Sequence, residues 1–177
     1  MASTSSTGTT RERPNIFRAL GPHDPPSCIW IERTQFQRLE IYKHDSWAAT
    51  ALYESVDSNS ERKQLVCKFN RTQPVLGIPM RWLGRLLAAR EAFAYRELEH
   101  VSGIPAGSCD VRDGNEFLTN AAAHHFVPGH PLQLSEQVGD HFFPELKQML
   151  EQIHRSGFAY VDLHKRENIL VGEDGRP

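Results

Sequence analysis

Two polar side chains near the end of the chain have the types and spacing that phosphoryl transfer requires. Asp162 and Asn168 lie in a polar loop between the apolar residue Val161 and the apolar run Ile169–Val171. Transfer of a phosphoryl group to a hydroxyl needs a carboxylate that accepts or orients the hydroxyl proton, and a nearby oxygen ligand for Mg²⁺. The carboxylate of Asp162 and the carboxamide of Asn168 suit these two roles.

Two further charged residues lie on the elements that must position such a loop. Residues 64–69 alternate as a strand, which puts Lys68 on one face and Cys67 on the other. A helix is predicted from Met80 to Val101 because its apolar residues recur with a period near 3.6. Glu91 lies at the edge of the apolar stripe and can face inward, while Glu97 lies near the opposite edge and is an alternative.

The remaining pattern predicts an α+β fold. Residues 36–43 read as a strand, and 47–55 as a second strand or, because of three alanines, a helix. A hairpin is predicted from strands at 107–112 and 117–127 around the turn 113–115. A second helix from Phe143 to Ser156 and short strands at Phe158–Val161 and Asn168–Val171 complete the expected elements.

The segment from Ile153 through Val171 resembles the helix-to-catalytic-loop region of the protein-kinase-like superfamily. The order of the other parts agrees: three strands with a lysine on the third, a helix with a glutamate that can face inward, two more strands and a Pro-Gly hinge. The resemblance implies an antiparallel sheet with one long helix as N-lobe, followed by the beginning of a helical C-lobe. It divides the chain into a disordered or extended tail (1–27), the N-lobe (28–127), and the hinge with the start of the C-lobe (128–177).

By this resemblance the chain is a kinase that uses ATP and Mg²⁺. Lys68 would bind the α- and β-phosphates and take part in catalysis, and Glu91 would orient that lysine. Phe126 and Val127 would form the hinge against which adenine packs. Asp162 would be the catalytic residue and Asn168 the ligand of the metal.

Within the superfamily the chain is most similar to bacterial lipopolysaccharide-kinase-like and RIO-type atypical kinases. The similarity rests on Trp82–Leu87 leading into Arg90-Glu91-Ala92, and on the Asp-Leu-His start of the loop. The hydroxyl acceptor stays open among a protein side chain, a sugar and a lipopolysaccharide-type substrate.

Four features depart from the pattern of the superfamily. Tyr160 replaces the usual histidine before Asp162, and Asn168 follows that aspartate by six residues, so that a bulge is needed. The turn at 43–47 contains no glycine. The sequence stops at Pro177, before an Asp-Phe-Gly-like segment, and we expect a truncated chain. The alternatives are a pseudokinase or inactive interaction module, and a mixed α/β module unrelated to kinases that binds no nucleotide.

Composition and charge limit the other classes of function. Twenty basic against twenty-two acidic residues give a formal charge of −2, which argues against general binding of nucleic acid or anionic membranes. The sequence has neither an apolar run long enough for a membrane span nor a secretory signal, which predicts a cytoplasmic protein. Three separated cysteines predict no disulfide framework, and the histidines at 124, 125 and 130 lack the neighbours of a metal site. The oligomeric state is left open.

Overall fold

The computed structural model describes residues 15–56, 62–108, 110–161, 163 and 165–177. In these residues the chain forms ten strands, two α-helices and two short 3-10 turns. The strands are β1 (Cys28–Ile31), β2 (Thr34–His44), β3 (Ala48–Ser55), β4 (Gln64–Asn70), β5 (Gly107–Ser108), β6 (Val111–Asp113), β7 (Glu116–Phe117), β8 (Ala121–His125), β9 (Gly129–Pro131) and β10 (Leu170–Gly172). The helices are α1 (Arg81–Glu97) and α2 (Phe142–Arg155). The α+β fold class is therefore confirmed.

Eight strands form one curled antiparallel sheet in the order β5-β8-β4-β3-β2-β1-β6-β7. Side chains that alternate along β3, β4 and β8 point to one face and form the main core with residues of β1, β2 and β6. The largest of them are Tyr53 and Phe69, whose rings lie 6.4 Å apart between centroids. Helix α1 packs on β4, β5 and β8 from the opposite face. A smaller cluster joins the end of α1 to α2 through Leu98, Val101 and Ile153.

The segment 47–55, for which strand and helix were both possible, is the strand β3. It lies between β2 and β4, and Ala49 and Ala51 are fully buried there. A helix here would leave β2 and β4 each without one of their antiparallel partners, so the pairing on both sides overrides the helical preference of alanine. Because β1 precedes the strands predicted from sequence, Lys68 lies on the fourth strand of the chain rather than the third.

Two other sequence predictions differ from the structure. The strand predicted at Phe158–Val161 is absent: these residues are irregular, and Phe158 packs on the cluster at the end of α1. The strand predicted at Asn168–Val171 begins later, at Leu170, and pairs with β9. A strand requires a partner edge, and β9 offers its edge to β10 alone among the described residues.

The predicted hairpin around 113–115 forms, but in two separate pieces. β6 and β7 make a short hairpin across Gly114, whereas β5 pairs with β8 elsewhere in the sheet. The alanines of β8 are almost fully buried beside β4. The pairing of this small-residue strand between β5 and β4 places it at the opposite end of the sheet from the β6–β7 hairpin that precedes it in sequence.

Residues 15–27, the second part of the disordered or extended tail predicted for 1–27, contact the sheet. Ala19 is fully buried, its N–H donates to the Asp45 carbonyl at 2.8 Å, and its carbonyl accepts from the Thr72 N–H at 3.1 Å. The Tyr53 hydroxyl donates to the Pro26 carbonyl at 2.8 Å. Residues 1–14, the remainder of the predicted tail, lie outside the described residues.

Gly84 sets the distance between α1 and the end of β4. A Cβ atom at this position would lie 2.4 Å from the backbone carbonyl oxygen of Arg71. Alanine normally favours a helix over glycine by about 1 kcal/mol. We expect Gly84→Ala to destabilise the protein nonetheless, by about 1–2 kcal/mol net, because overpacking against rigid backbone costs more than the helix gains.

Chemical denaturation of wild type and Gly84→Ala measures this effect. Ala89→Gly, at an exposed position of the same helix, calibrates the helix preference alone. A Gly84→Ala variant that is more stable than wild type would contradict the close contact.

Candidate functional site

Lys68 and Glu91 form an ion pair that joins the sheet to α1. The Lys68 Nζ lies 3.0 Å from Oε2 of Glu91, and the two side chains are 41% and 22% exposed. Lys68 points away from the main core because its neighbours Cys67 and Phe69 are buried in it. Glu91 lies on the side of α1 that carries the buried residues Gly84 and Ala88.

Glu97, the alternative to Glu91 from the sequence, lies elsewhere. Its carboxylate is 3.8 Å from the Nε of its neighbour Arg96, and its side chain is 48% exposed. The structure therefore brings Glu91, and not Glu97, to Lys68.

Two residues outside the predicted site, Tyr95 and His124, lie around this pair. Tyr95 follows Glu91 by one helical turn, and its ring lies 5.1 Å from that of His124 on β8. Burial raises the pKa of the Tyr95 hydroxyl, and the carboxylate of Glu91 adds to this effect. The i,i+4 spacing from Glu91 to Tyr95 is the signal that could have identified the tyrosine.

His124 is held neutral beside the ion pair. Burial lowers its pKa, although a hydrogen bond between Nδ1 and the His125 carbonyl at 2.8 Å and the charge of Glu91 act in the opposite direction. The Lys68 ammonium also lowers the pKa. The ring therefore contributes a polar but uncharged edge to the site at neutral pH.

The pKa of His124 gives the protein a pH-dependent stability. The pKa of His124 is lower in the folded state than the value of about 6.5 in the unfolded chain, so the unfolded chain binds a proton first as the pH falls. The contribution of neutral His124 to the free energy of unfolding is therefore complete above pH about 6.5 and is lost as the pH falls through the pKa of the folded state. We expect the free energy of unfolding to decrease on acidification below pH about 6.5. Urea denaturation across this range should give a shallower decrease for His124→Gln, and an unchanged one for the control His23→Gln at an exposed position. Equal slopes in wild type and His124→Gln would contradict the assignment.

The turn between β2 and β3 is closed by a carboxylate. Oδ1 of Asp45 accepts the backbone N–H groups of Trp47 at 2.7 Å and Ala48 at 3.0 Å, and Oδ2 lies 2.7 Å from the Nζ of Lys43. Burial raises the pKa of Asp45, but Lys43 and the two amides outweigh it and hold the pKa below its usual value. Two amides of this turn are thus bound to an anionic side chain and are not open to a phosphate group.

The segment expected to contact adenine follows β8. Phe126 and Val127 are half-buried, and the Phe126 N–H donates to the Gln64 carbonyl at 3.0 Å. Among the residues that the structure describes, none accepts a hydrogen bond from the Val127 N–H. Gln64 and Lys68 are four residues apart on β4, so about 13 Å of strand separates the start of this segment from the ion pair.

The loop selected first from the sequence is described only in part. Asp162 and His164 lie outside the described residues. Asn168 ends a short 3-10 turn, Arg166–Asn168, and its backbone carbonyl accepts from the Tyr160 hydroxyl at 3.1 Å. This turn overlaps residues 164–167, where the kinase-like interpretation of the sequence expects an additional residue.

The described residues provide no ready-made metal site and no membrane span. In these ranges, no group of three or more His, Cys, Asp or Glu side chains is arranged to hold a metal ion. Across the same part of the chain, neither helix combines the length and the apolar character needed to cross a bilayer. Comparison of the sequence with models of known protein families and with curated proteins gave no match.

Proposed function

We propose that this chain is the nucleotide-binding part of a kinase-like phosphotransferase that transfers the γ-phosphate of ATP to a hydroxyl. The observation that carries the proposal is the ion pair between Lys68 on β4 and Glu91 on α1, with 3.0 Å between Nζ and Oε2. A lysine held by a glutamate in this way presents its remaining N–H bonds in one direction. Its ammonium can then neutralise phosphate charge without reorganisation during the reaction.

The surroundings of the pair support a nucleotide rather than a small anion. The half-buried segment at Phe126 and Val127 lies about 13 Å along β4 from Lys68, the scale of an extended nucleoside triphosphate. The available Val127 N–H suits recognition of a base edge. A base at one end and phosphates at the other would use both features.

Asp162 and Asn168 are proposed for the chemical step on the basis of the sequence. The Asp162 carboxylate would orient the acceptor hydroxyl and take its proton. When bound, Mg²⁺ would neutralise charge on the phosphates, and it prefers oxygen ligands. Asn168 offers a carboxamide oxygen, while the described residues add no cluster that could complete the metal's coordination. The proposal therefore rests on Lys68 and Glu91.

The second candidate is an inactive kinase-fold interaction module. The observation that favours it is the Asp45 carboxylate, which binds the amides of the turn between β2 and β3. A carboxylate in this place repels phosphate groups instead of cradling them. If nucleotide cannot approach the turn, the Lys68–Glu91 pair serves only to fix α1 on the sheet.

Titration calorimetry with Mg²⁺ and ATP tests the proposal. We expect ATP to bind more tightly than AMP, because Lys68 is proposed to contact the phosphates. Glu91→Gln should weaken ATP binding about fivefold through loss of the lysine's orientation, whereas Glu97→Gln should leave it unchanged. A cooperatively folded protein that shows no heat of binding with any nucleotide would overturn the proposal in favour of the interaction module.

A further inference from the structure

We propose that the segment 72–86 is a docking element for membrane surfaces that carry anionic phospholipids. It consists of a projecting apolar turn at 75–78 and a basic cavity at the base of that turn. This inference is independent of the proposed function, because it uses neither Lys68 nor Glu91. It concerns attachment to the surface of a bilayer.

The turn at 75–78 exposes apolar side chains that the fold does not use. Val75 and Ile78 exchange two backbone hydrogen bonds, of 3.0 and 2.8 Å, and Leu76 at the tip is 97% exposed. Leu76 has a φ of +49°, a left-handed conformation that disfavours a bulky side chain. Asparagine or glycine would be less strained here, so leucine is not explained by the folded state of the isolated chain.

The turn is anchored by a buried arginine. Arg71 is 5% exposed, and its guanidinium donates to the carbonyls of Gln73 at 2.9 Å, Pro74 at 3.2 Å and Ser46 at 2.5 Å. These bonds hold residues 73 and 74, which lead into the turn, against the loop between β2 and β3. The apolar tip is therefore presented in a defined position, which lowers the entropic cost of inserting it.

A cavity of about 290 Å³ lies between the two ends of the segment 72–86 and the residues just before β8. It is lined by Thr72, Arg81, Arg85, Thr119 and Asn120. In the described part of the chain, neither Arg81 nor Arg85 has a carboxylate partner. Two guanidiniums at i and i+4 repel each other, and two threonine hydroxyls beside them add donors. This is the chemistry that binds a phosphate group.

An apolar stripe on α1 lies directly beside the two arginines. Trp82 and Leu86 are 60% and 48% exposed, and each follows one of the arginines by a single residue, about 100° around the helix. Tryptophan and arginine side by side are typical of elements that lie in the interfacial region of a bilayer. The same surface therefore carries an anion site and apolar side chains that can enter the lipid.

These features favour a bilayer over a soluble phosphate or a protein groove. A free phosphate would use the cavity but not Leu76, Ile78 or Trp82. A convex tip can insert into a fluid interface, whereas a protein partner must supply a matching concave pocket. The net charge of −2 argues against general attraction of the whole chain to an anionic membrane, but not against a local site. At physiological salt, charges act over about one Debye length, roughly 8 Å, so the two arginines dominate at this surface.

Vesicle co-sedimentation of the full chain tests the proposal. We expect binding to vesicles of phosphatidylcholine mixed with phosphatidylglycerol, weaker binding to phosphatidylcholine alone, and weakening with added salt. Leu76→Asn should reduce the affinity about tenfold, because one leucine no longer leaves water. Arg81→Gln and Arg85→Gln should each reduce it about fivefold.

The variants are chosen so that misfolding cannot imitate the expected result. Leu76→Asn places a residue that tolerates a positive φ at an almost fully exposed position, so its melting temperature should equal or exceed that of wild type. Leu134→Asn, at an 82% exposed leucine between β9 and α2, and Arg155→Gln, at the 77% exposed last residue of α2, are the matched controls and should bind vesicles normally.

Three outcomes would overturn the proposal. The first is no binding to the anionic vesicles, or binding that Leu76→Asn and the two arginine variants leave unchanged. The second is calorimetric binding of inorganic phosphate that Arg81→Gln abolishes, without vesicle binding, which would make the cavity a soluble-phosphate site. The third is a wild-type dimer that Leu76→Asn converts to a monomer, without vesicle binding, which would make the surface a contact between copies of this chain.

Discussion

Replacing Lys68 by methionine is expected to weaken nucleotide binding strongly while leaving the fold intact. Methionine matches the length of the lysine side chain but carries no charge, so the Glu91 carboxylate loses its partner at 3.0 Å and the phosphates lose theirs. A hydrogen bond to a charged group, such as one from the Lys68 ammonium to a phosphate oxygen, contributes about 1.5–3 kcal/mol to the free energy of an interaction. We therefore expect ATP affinity to fall by roughly tenfold to hundredfold.

The measurement is a thermal-shift titration with ATP and Mg²⁺, because a ligand that binds the folded state raises the apparent melting temperature. Lys63→Met removes the same charge from an exposed residue just before β4 and serves as the control. At the same ATP concentration, the ATP-dependent shift should persist in Lys63→Met and be much smaller in Lys68→Met. An equal shift in both variants would separate Lys68 from any nucleotide site.

Replacing the next residue, Phe69, by alanine should have the opposite consequence. Phe69 is 2% exposed and lies against Tyr53 in the main core, on the face of β4 away from Lys68. Truncation of a buried phenylalanine leaves a cavity and costs about 3–5 kcal/mol. Since small proteins unfold at a cost of about 5–15 kcal/mol, most of the stability would be lost.

Urea denaturation measures this loss. Phe143→Ala, at a 57% exposed phenylalanine of α2, should cost about 0.5–1 kcal/mol and is the matched control. If Phe69→Ala does not fold, Phe69→Leu should fold with a loss of about 1–1.5 kcal/mol and still respond to ATP. A Phe69→Ala variant as stable as the control would contradict the position of Phe69 in the core.

Substitutions at these two neighbouring residues of β4 are thus expected to affect different properties: ATP affinity at Lys68 and stability at Phe69. Side chains at consecutive strand positions face opposite sides of a sheet. Lys68 is 41% exposed beside α1, whereas Phe69 is buried under the sheet's other face. A single alternation of polar and apolar residues therefore separates the candidate binding face from the core.

Local pattern in the sequence determined most of this arrangement. The alternation in residues 64–69 predicted the strand and the opposite faces of Lys68 and Cys67, and the 3.6-residue period predicted α1 with Glu91 or Glu97 able to face inward. These features depend on neighbours within a few residues, which is why periodicity identifies them. The loop with Asp162 and Asn168 was also selected from sequence, and its chemistry stays a prediction.

Only the tertiary structure decided which distant residues meet. It selected Glu91 over Glu97, buried Arg71 beneath the turn at 75–78, and placed His124 beside the ion pair. It also placed β8 beside β4 and β6 beside β1, across separations of more than fifty residues. Such contacts depend on how whole elements pack. The free energy of burial comes from the apolar surfaces of both partners, and the sequence of one element does not specify which distant element will cover it.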